Sequence, residues 1–241
     1  MEKHAHDLEF EITGFHWWFV VRRELLDLIL SSISIPSRGS ILDIGCGVGS
    51  NLPVLQSHRW NAIGIDQSFY ALSLASKRFK IPLVNGDMNQ LPIKPNSVGL
   101  IIALDILEHL DDDLNGIREL YQALSKRGVL VLTVPAFRFL WGTQDIITGH
   151  KRRYTRREIS TKLKKAGFTV LKSSYFNFFL FPPILFARWA IRLLGLRLES
   201  ENTLNSPVIN ALLKTVFSFE TYFLKHIAFP FGVSIFCIAE K

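Results

Sequence analysis

The chain has 241 residues, 48% of them apolar, so a sizeable core can form and a disordered chain is excluded. Lys and Arg outnumber Asp and Glu by 28 to 21, and the resulting +7 charge suits an anionic partner without bearing on fold. Two cysteines, Cys46 and Cys237, are too few for a disulfide framework or a cysteine metal site and read as reduced structural thiols.

The start, Met1 to Asp7, is polar and acid-containing, unlike a secretory signal. No apolar window reaches the roughly 20 residues that span a bilayer. A cytoplasmic location follows as the expectation, with peripheral membrane contact left open. His16 to Leu30 predicts an amphipathic helix with Trp17, Trp18, Phe19, Leu25, Leu26 and Ile29 on its apolar side. Residues 1–35 read as an N-terminal cap, 36–148 as a cofactor-binding core, and 149–241 as a substrate or lid region with the final strands. All belong to one expected domain.

From Ser40 to about Pro135, short β-rich runs alternate with helix-like segments. The strands expected are Ser40 to Ile44, Asn61 to Ile65, Leu83 to Val84, Val98 to Ala103 and Gly128 to Val134. The helices expected between them are Ala71 to Phe79 and Leu114 to Leu124. Such alternation predicts a doubly wound, mostly parallel sheet with helices on both faces. Asp111-Asp112-Asp113 reads as a helix opening that suits the macrodipole, and no metal site is expected.

The first strand runs into Asp43-Ile44-Gly45-Cys46-Gly47-Val48-Gly49, a turn with glycine at alternate positions. Glycine there lets the backbone bend and approach a ligand, and Asn51 to Leu55 can open a helix facing the same spot. The spacing differs from the Gly-x-Gly-x-x-Gly dinucleotide fingerprint. Asp43 would repel a pyrophosphate and could attract an ammonium. Asp66 lies 21 residues beyond Gly45 at the next strand's end, where a carboxylate can hold two ribose hydroxyls. Asp87 can accept from an adenine amino group, and Met88 can pack on the ring.

In this order, Leu42 to Gly49, Gly64-Ile65-Asp66, Gly86-Asp87-Met88, Asp105-Ile106-Leu107-Glu108-His109 and Gly128 to Pro135 resemble class I S-adenosylmethionine-dependent methyltransferases of the type 11, ubiquinone-biosynthesis-like group. The resemblance covers residues 40 to 135. It implies a Rossmann-like, seven-stranded sheet with an antiparallel last strand, for which Gly232 to Ala239 is suited. It implies Asp43, Gly45, Gly47 and Gly49, with Cys46 among them, around the methionine part of S-adenosylmethionine. Asp66 and Gln67 would hold the ribose, Asp87 and Met88 the adenine, and Asp105 would lie beneath the methyl region. His16-Trp17-Trp18 with Arg22-Arg23, and His150 to Tyr154, also resemble a bacterial subgroup. They imply substrate contacts at Trp18, Arg23, Arg152, Arg153 and Tyr154.

Methyl transfer from a sulfonium is an in-line displacement, and the protein mainly orients the nucleophile and excludes water. A protonated acceptor needs a base, for which His109 and His150 are the candidates. Thr155 and Glu158 fit a capping box, predicting a helix from Arg156 to near Gly167. Lys151, Arg152, Arg153, Arg156 and Arg157 are expected to meet an anion or remain a solvated surface. Tyr175 to Leu198 is strongly apolar, broken by Pro182-Pro183, with Arg188 and Arg192 one helical turn apart. It reads as a lid, a dimer face or an interfacial helix. The acceptor expected is small or amphipathic, including anionic or lipid-linked molecules. A catalytically silent membrane or partner-binding protein and a nicotinamide-dependent dehydrogenase are the alternatives. No nucleic acid is expected, because no base-stacking motif accompanies the charge.

Overall fold

The computed structural model describes residues 3–35, 40–58, 61–194 and 206–241. The expected boundary at 36 and the far end of the apolar segment, 195–198, lie outside them.

Five parallel strands, β1 (Ser40–Ile44), β2 (Ala62–Asp66), β3 (Leu83–Asn85), β4 (Val98–Leu104) and β5 (Leu124–Pro135), build the first part of the sheet. Two more, β6 (Thr169–Phe176) and β7 (Ser234–Glu240), complete it in the order β3-β2-β1-β4-β5-β7-β6, with β7 antiparallel to both neighbours. The order reverses between β1 and β4, so the carboxyl ends of these strands open a crevice. β4 and most of β5 are buried, which accounts for their near-continuous apolar runs. This is the Rossmann-like sheet the resemblance implies.

Helices pack on it where the apolar period calls for them. The cap helix α2 (Trp17–Leu30) buries Val21, Leu25, Leu26, Ile29 and Leu30. Burying each such side chain stabilises the fold by about 1.5–3 kcal/mol. The crossovers α3 (Leu52–Ser57), α4 (Phe69–Arg78) and α5 (Asp113–Ala123) follow β1, β2 and β4. Asp112 caps α5 by accepting from the Asn115 amide, as an acidic helix opening should. After β5 come α6 (Thr143–Thr148) and α7 (Arg156–Lys165), and the Thr155–Glu158 capping box on α7 forms as expected.

Four elements differ from the sequence reading. The polar start forms a helix, α1 (Lys3–Ile12), tied down by tertiary contacts, with the Tyr70 hydroxyl donating to Asp7 at 2.6 Å. β6 was not expected, because its alternation is interrupted by an irregularity between Val170 and Lys172; it claims Tyr175 and Phe176 from the apolar segment. Pro182 and Pro183 do not break that segment. They sit in the first turn of α8 (Phe181–Leu194), where no intrahelical N–H is required. The last helix, α9 (Pro207–Leu224), packs on α2, and Asn210 accepts from the Trp17 amide at 2.8 Å. No helix among the described residues is long and apolar enough to cross a membrane.

Candidate active site

The crevice at the β1–β4 edge opens into a cavity of about 940 Å³. One end of it is the glycine turn. Gly45, Gly47 and Gly49 have φ of +70°, +52° and +88°, a region that favours glycine. Their roles differ. A side chain on Gly47 would project into open space, where Glu9 Oε1 at 4.0 Å is the only neighbour within 4 Å. A side chain on Gly49 would strike Phe79 at 2.8 Å, so that glycine serves packing. Gly47 is thus a cradle that a Cβ would fill, beside the Asp66 carboxylate. Asp66 accepts from the Gly47 amide at 2.8 Å and the Ser68 amide at 2.7 Å, which fixes it at the end of β2. The open backbone and fixed carboxylate fit a nucleoside with a small zwitterionic tail.

Gly45, Gly47, Asp66 and Asp105 line this cavity, whereas Asp43, Cys46, Gly49, Gln67, Asp87 and Met88 do not. Asp43 lies fully buried under the turn, 3.5 Å from Asn51 Nδ2, and burial pushes its carboxyl up to about 7. It braces the loop rather than facing a ligand directly. Cys46 is buried beneath the same loop, its sulfur against Gly64. Asp87 is exposed and accepts from the Asn89 amide at 2.8 Å, while Met88 is buried in the core. Gln67 is exposed at the start of the following loop. Helix α1 adds residues that the sequence did not single out: His4, His6 and Glu9 all reach the cavity wall. Burial raises the Glu9 carboxyl to about 7 against the pull of Arg22.

The opposite end gathers charged groups from distant segments. Asp105 follows β4 with φ +53°, a left-handed conformation that costs about 1–3 kcal/mol and favours a functional role. Its Oδ1 accepts from the Thr133 hydroxyl at 3.1 Å, and Arg22 pairs with Oδ2 at 2.7 Å. The adjacent Arg23 is directed away, donating to the Thr13 and Ser50 carbonyls at 2.8 and 3.3 Å. Trp18 and Arg22, one turn apart on α2, therefore face the cavity together, with the guanidinium 5.2 Å from the indole. Trp18 is held by stacking on Phe217 and Phe176 at 5.8 and 6.2 Å.

Beyond Asp105, the turn Leu107–His109 brings Glu108 and His109 to the wall, and the loop after α6 brings His150. The two imidazoles meet edge to face with centroids 4.8 Å apart. Burial, with His150 beside it, lowers the His109 pKa to about 4. Asp145 lies 2.7 Å from His150 Nδ1 and accepts from Arg153 through two contacts, at 2.8 and 2.9 Å. Burial opposes ionisation of Asp145, but these bonds outweigh it and hold the carboxyl well below its usual range. An ionised carboxylate only accepts, so Nδ1 of His150 carries a proton and, in the neutral ring, Nε2 keeps its lone pair. Glu108 is fully buried, its ionisation opposed by burial and by Asp105.

Three cations of the basic segment pair with acids of the chain itself. Lys151 pairs with Asp111 at 2.5 Å, Arg152 with Asp113 at 3.3 Å, and Arg153 with Asp145. Of the residues read as substrate contacts, Trp18 and Arg153 line the cavity; Arg23, Arg152 and Tyr154 do not. Tyr154 is buried and donates to Asp113 at 2.8 Å. Sequence reasoning named Arg22 beside Arg23 and Glu108 within its motif, and passed over Asp145 and Asn177. The acid five residues before His150 was an available signal. Asn177 was hidden in an apolar run; it is buried at φ +60°, with both side-chain polar atoms unbonded on the cavity wall.

Comparison with known proteins agrees with this geometry. A methyltransferase-domain family model matches residues 18–173, about two thirds of the chain. A protein of Mycolicibacterium smegmatis named as a probable S-adenosylmethionine-dependent methyltransferase is 25% identical over 133 residues, 54% of this chain and 52% of that protein. An uncharacterized methyltransferase of Geobacillus is 28% identical over 160 residues, covering 59% and 75%. The chain spans about half the length of the mycobacterial relatives it matches. Among solved structures, the methyltransferase bound to the Trm112 activator of Haloferax volcanii superposes with a TM-score of 0.64 at 13% identity, covering 98% of this chain and 94% of that one. A sarcosine dimethylglycine methyltransferase of Galdieria sulphuraria gives 0.62 at 15%, covering 91% and 85%. By its family match, the chain belongs to the methyltransferase-domain family, and its sheet has the fold of class I S-adenosylmethionine-dependent methyltransferases.

Proposed function

We propose that the protein methylates the polar end of an amphipathic, lipid-like acceptor. Bound S-adenosylmethionine supplies an activated methyl group on a sulfonium. The chain's own residues divide the remaining work between two ends of one cavity. Gly45, Gly47 and Asp66 fix the donor, while His109, His150 and Glu108 border the place where a nucleophile and its proton sit. Holding the two reactants in line accounts for about 7–11 kcal/mol of barrier at best, so positioning dominates. Trp18 and Arg153 would fix the acceptor's orientation, with His109 and His150 beside its nucleophilic atom.

The observation that supports a lipid-like acceptor is helix α8. Ile184, Ala187 and Ile191 line the cavity, yet Phe186, Trp189, Leu193 and Leu194 on the same helix are exposed, and none of its residues is buried. A helix apolar on both its inner and outer faces suits a lid between an apolar channel and a lipid surface. Arg188 donates to the Leu140 carbonyl and Arg192 to the Trp141 carbonyl at 2.8 Å, so these arginines fasten the lid to the loop after β5. The chain's +7 charge favours an anionic surface beneath it.

The test is transfer of labelled methyl from S-adenosylmethionine to organic-soluble and water-soluble extracts of the same cells. Label recovered in the organic phase supports the reading. Label confined to aqueous products contradicts it.

A further inference from the structure

The acceptor end of the cavity has the composition of a metal centre. We infer that Glu108, His109 and His150 bind a first-row transition-metal dication. One ligand atom from each lies within 4.8 Å of the others, with Glu108 Oε1 and His150 Nε2 at 3.8 Å. Bonds of about 2.1 Å to a common ion place ligand atoms roughly 3.0–3.4 Å apart, so side-chain rotations of about an ångström close the site. Two imidazoles and one carboxylate form a set that suits Zn²⁺, Fe²⁺ or Co²⁺ better than Mg²⁺ or Ca²⁺.

Two independent features favour ligation over a simple ion pair. Neither Glu108 oxygen has a hydrogen-bond partner, although the residue is fully buried. A buried carboxyl in that condition stays protonated unless a cation takes the proton's place, and its unbonded oxygens leave room for one. The arginines nearby are committed, Arg22 to Asp105 and Arg153 to Asp145. The second feature is the outer shell. His150 gives Nδ1–H to Asp145 at 2.7 Å. Its neutral imidazole then has Nε2 left as a lone pair, in the carboxylate–histidine arrangement that orients metal ligands. The backbone stitches the two loops together, the Lys151 amide donating to Glu108 O and the His150 amide to Asp145 O, both at 2.8 Å.

Three protein ligands leave positions open toward the cavity, as in a catalytic rather than a structural site. A cation there would hold the acceptor's oxygen or nitrogen and lower its pKa. The acceptor's proton leaves to water, its lone pair forms the new bond to the methyl carbon, and the C–S electron pair stays on sulfur, which becomes neutral. This consequence rests on the proposed methyl transfer; the binding of metal does not.

The experiment is titration of chelator-stripped full-length protein with Co²⁺, following visible absorption and metal content per chain, with S-adenosylmethionine binding measured in parallel. The expected result is one Co²⁺ per chain, with affinity reduced at least about 100-fold in His150→Ala and Glu108→Gln and about 10–100-fold in Asp145→Asn. Unchanged S-adenosylmethionine binding in these variants shows that they fold. A wild-type protein that binds no Co²⁺, or folded variants that bind it as well as wild type, overturns the inference. A purely water-soluble acceptor would contradict the proposed function and leave this result standing.

Discussion

The two ends of the cavity, proposed to hold donor and acceptor, are built on different principles. The donor end comes from consecutive residues at strand ends, where Gly47 leaves the backbone open and Asp66 is fixed by two amides. The acceptor end comes from α2, the turn after β4, the loop before α7 and the lid α8, and its charged groups hold one another. Local chemistry can be reused for one donor across many relatives. Assembled chemistry can be changed segment by segment, which is how one fold serves many acceptors.

Variants that separate the two ends sharpen this contrast. His150→Ala should lower kcat by about 10²–10⁴-fold with donor affinity unchanged, measured by initial rates and calorimetry. Gly47→Val should do the reverse, weakening donor binding by roughly 300-fold, about 3.4 kcal/mol, because a branched side chain fills the cradle at positive φ. Donor affinity insensitive to Gly47→Val would break the assignment of the two ends.

The lid's anchorage gives a pH signature. Glu220 on α9 is fully buried and accepts from the Phe178 and Phe179 amides at 2.6 and 3.1 Å, just before α8. Burial raises its carboxyl to about 7 against those bonds. Between the ordinary carboxylate range and pH 7 the native state therefore binds more protons than the unfolded chain. Stability falls as pH rises through that window, by up to about 3 kcal/mol. Denaturant midpoints for wild type should show this slope, and Glu220→Gln should reduce it, leaving the share that the raised carboxyls of Asp43 and Glu9 contribute.

Two smaller effects complete the series. The double variant Arg188→Ala and Arg192→Ala should raise the acceptor KM roughly 10-fold, about 1.4 kcal/mol, without altering donor binding. Tyr154→Phe should cost about 1 kcal/mol of stability through its lost bond to Asp113 and leave kcat unchanged. A large loss of activity in Tyr154→Phe would return that tyrosine to the acceptor contacts.

The same contrast explains what the sequence reveals. Asp66 and the glycine turn are legible because a strand end and a positive-φ loop leave local signatures. The sheet is legible for the same reason, since apolar runs and turns alternate. Helix α1 is not, because apolar residues such as Ala5, Leu8 and Ile12 are few and set among charged ones, and Tyr70 and Arg78 hold it from across the chain. β6 is obscured by its irregularity and edge position. Arg22 and Arg23 are indistinguishable by type, and only the helical phase set by Trp18 separates cavity from backbone contact. The basic segment misleads because its partners Asp111, Asp113 and Asp145 come from other elements.

A crystal structure with bound S-adenosylmethionine most directly tests whether one cavity holds the donor at the glycine turn and the acceptor at the histidine cluster. The expected complex has the ribose on Asp66, the amino-acid tail over Gly47 and the methyl directed past Asp105 toward His109 and His150. A methyl directed away from that cluster would contradict it.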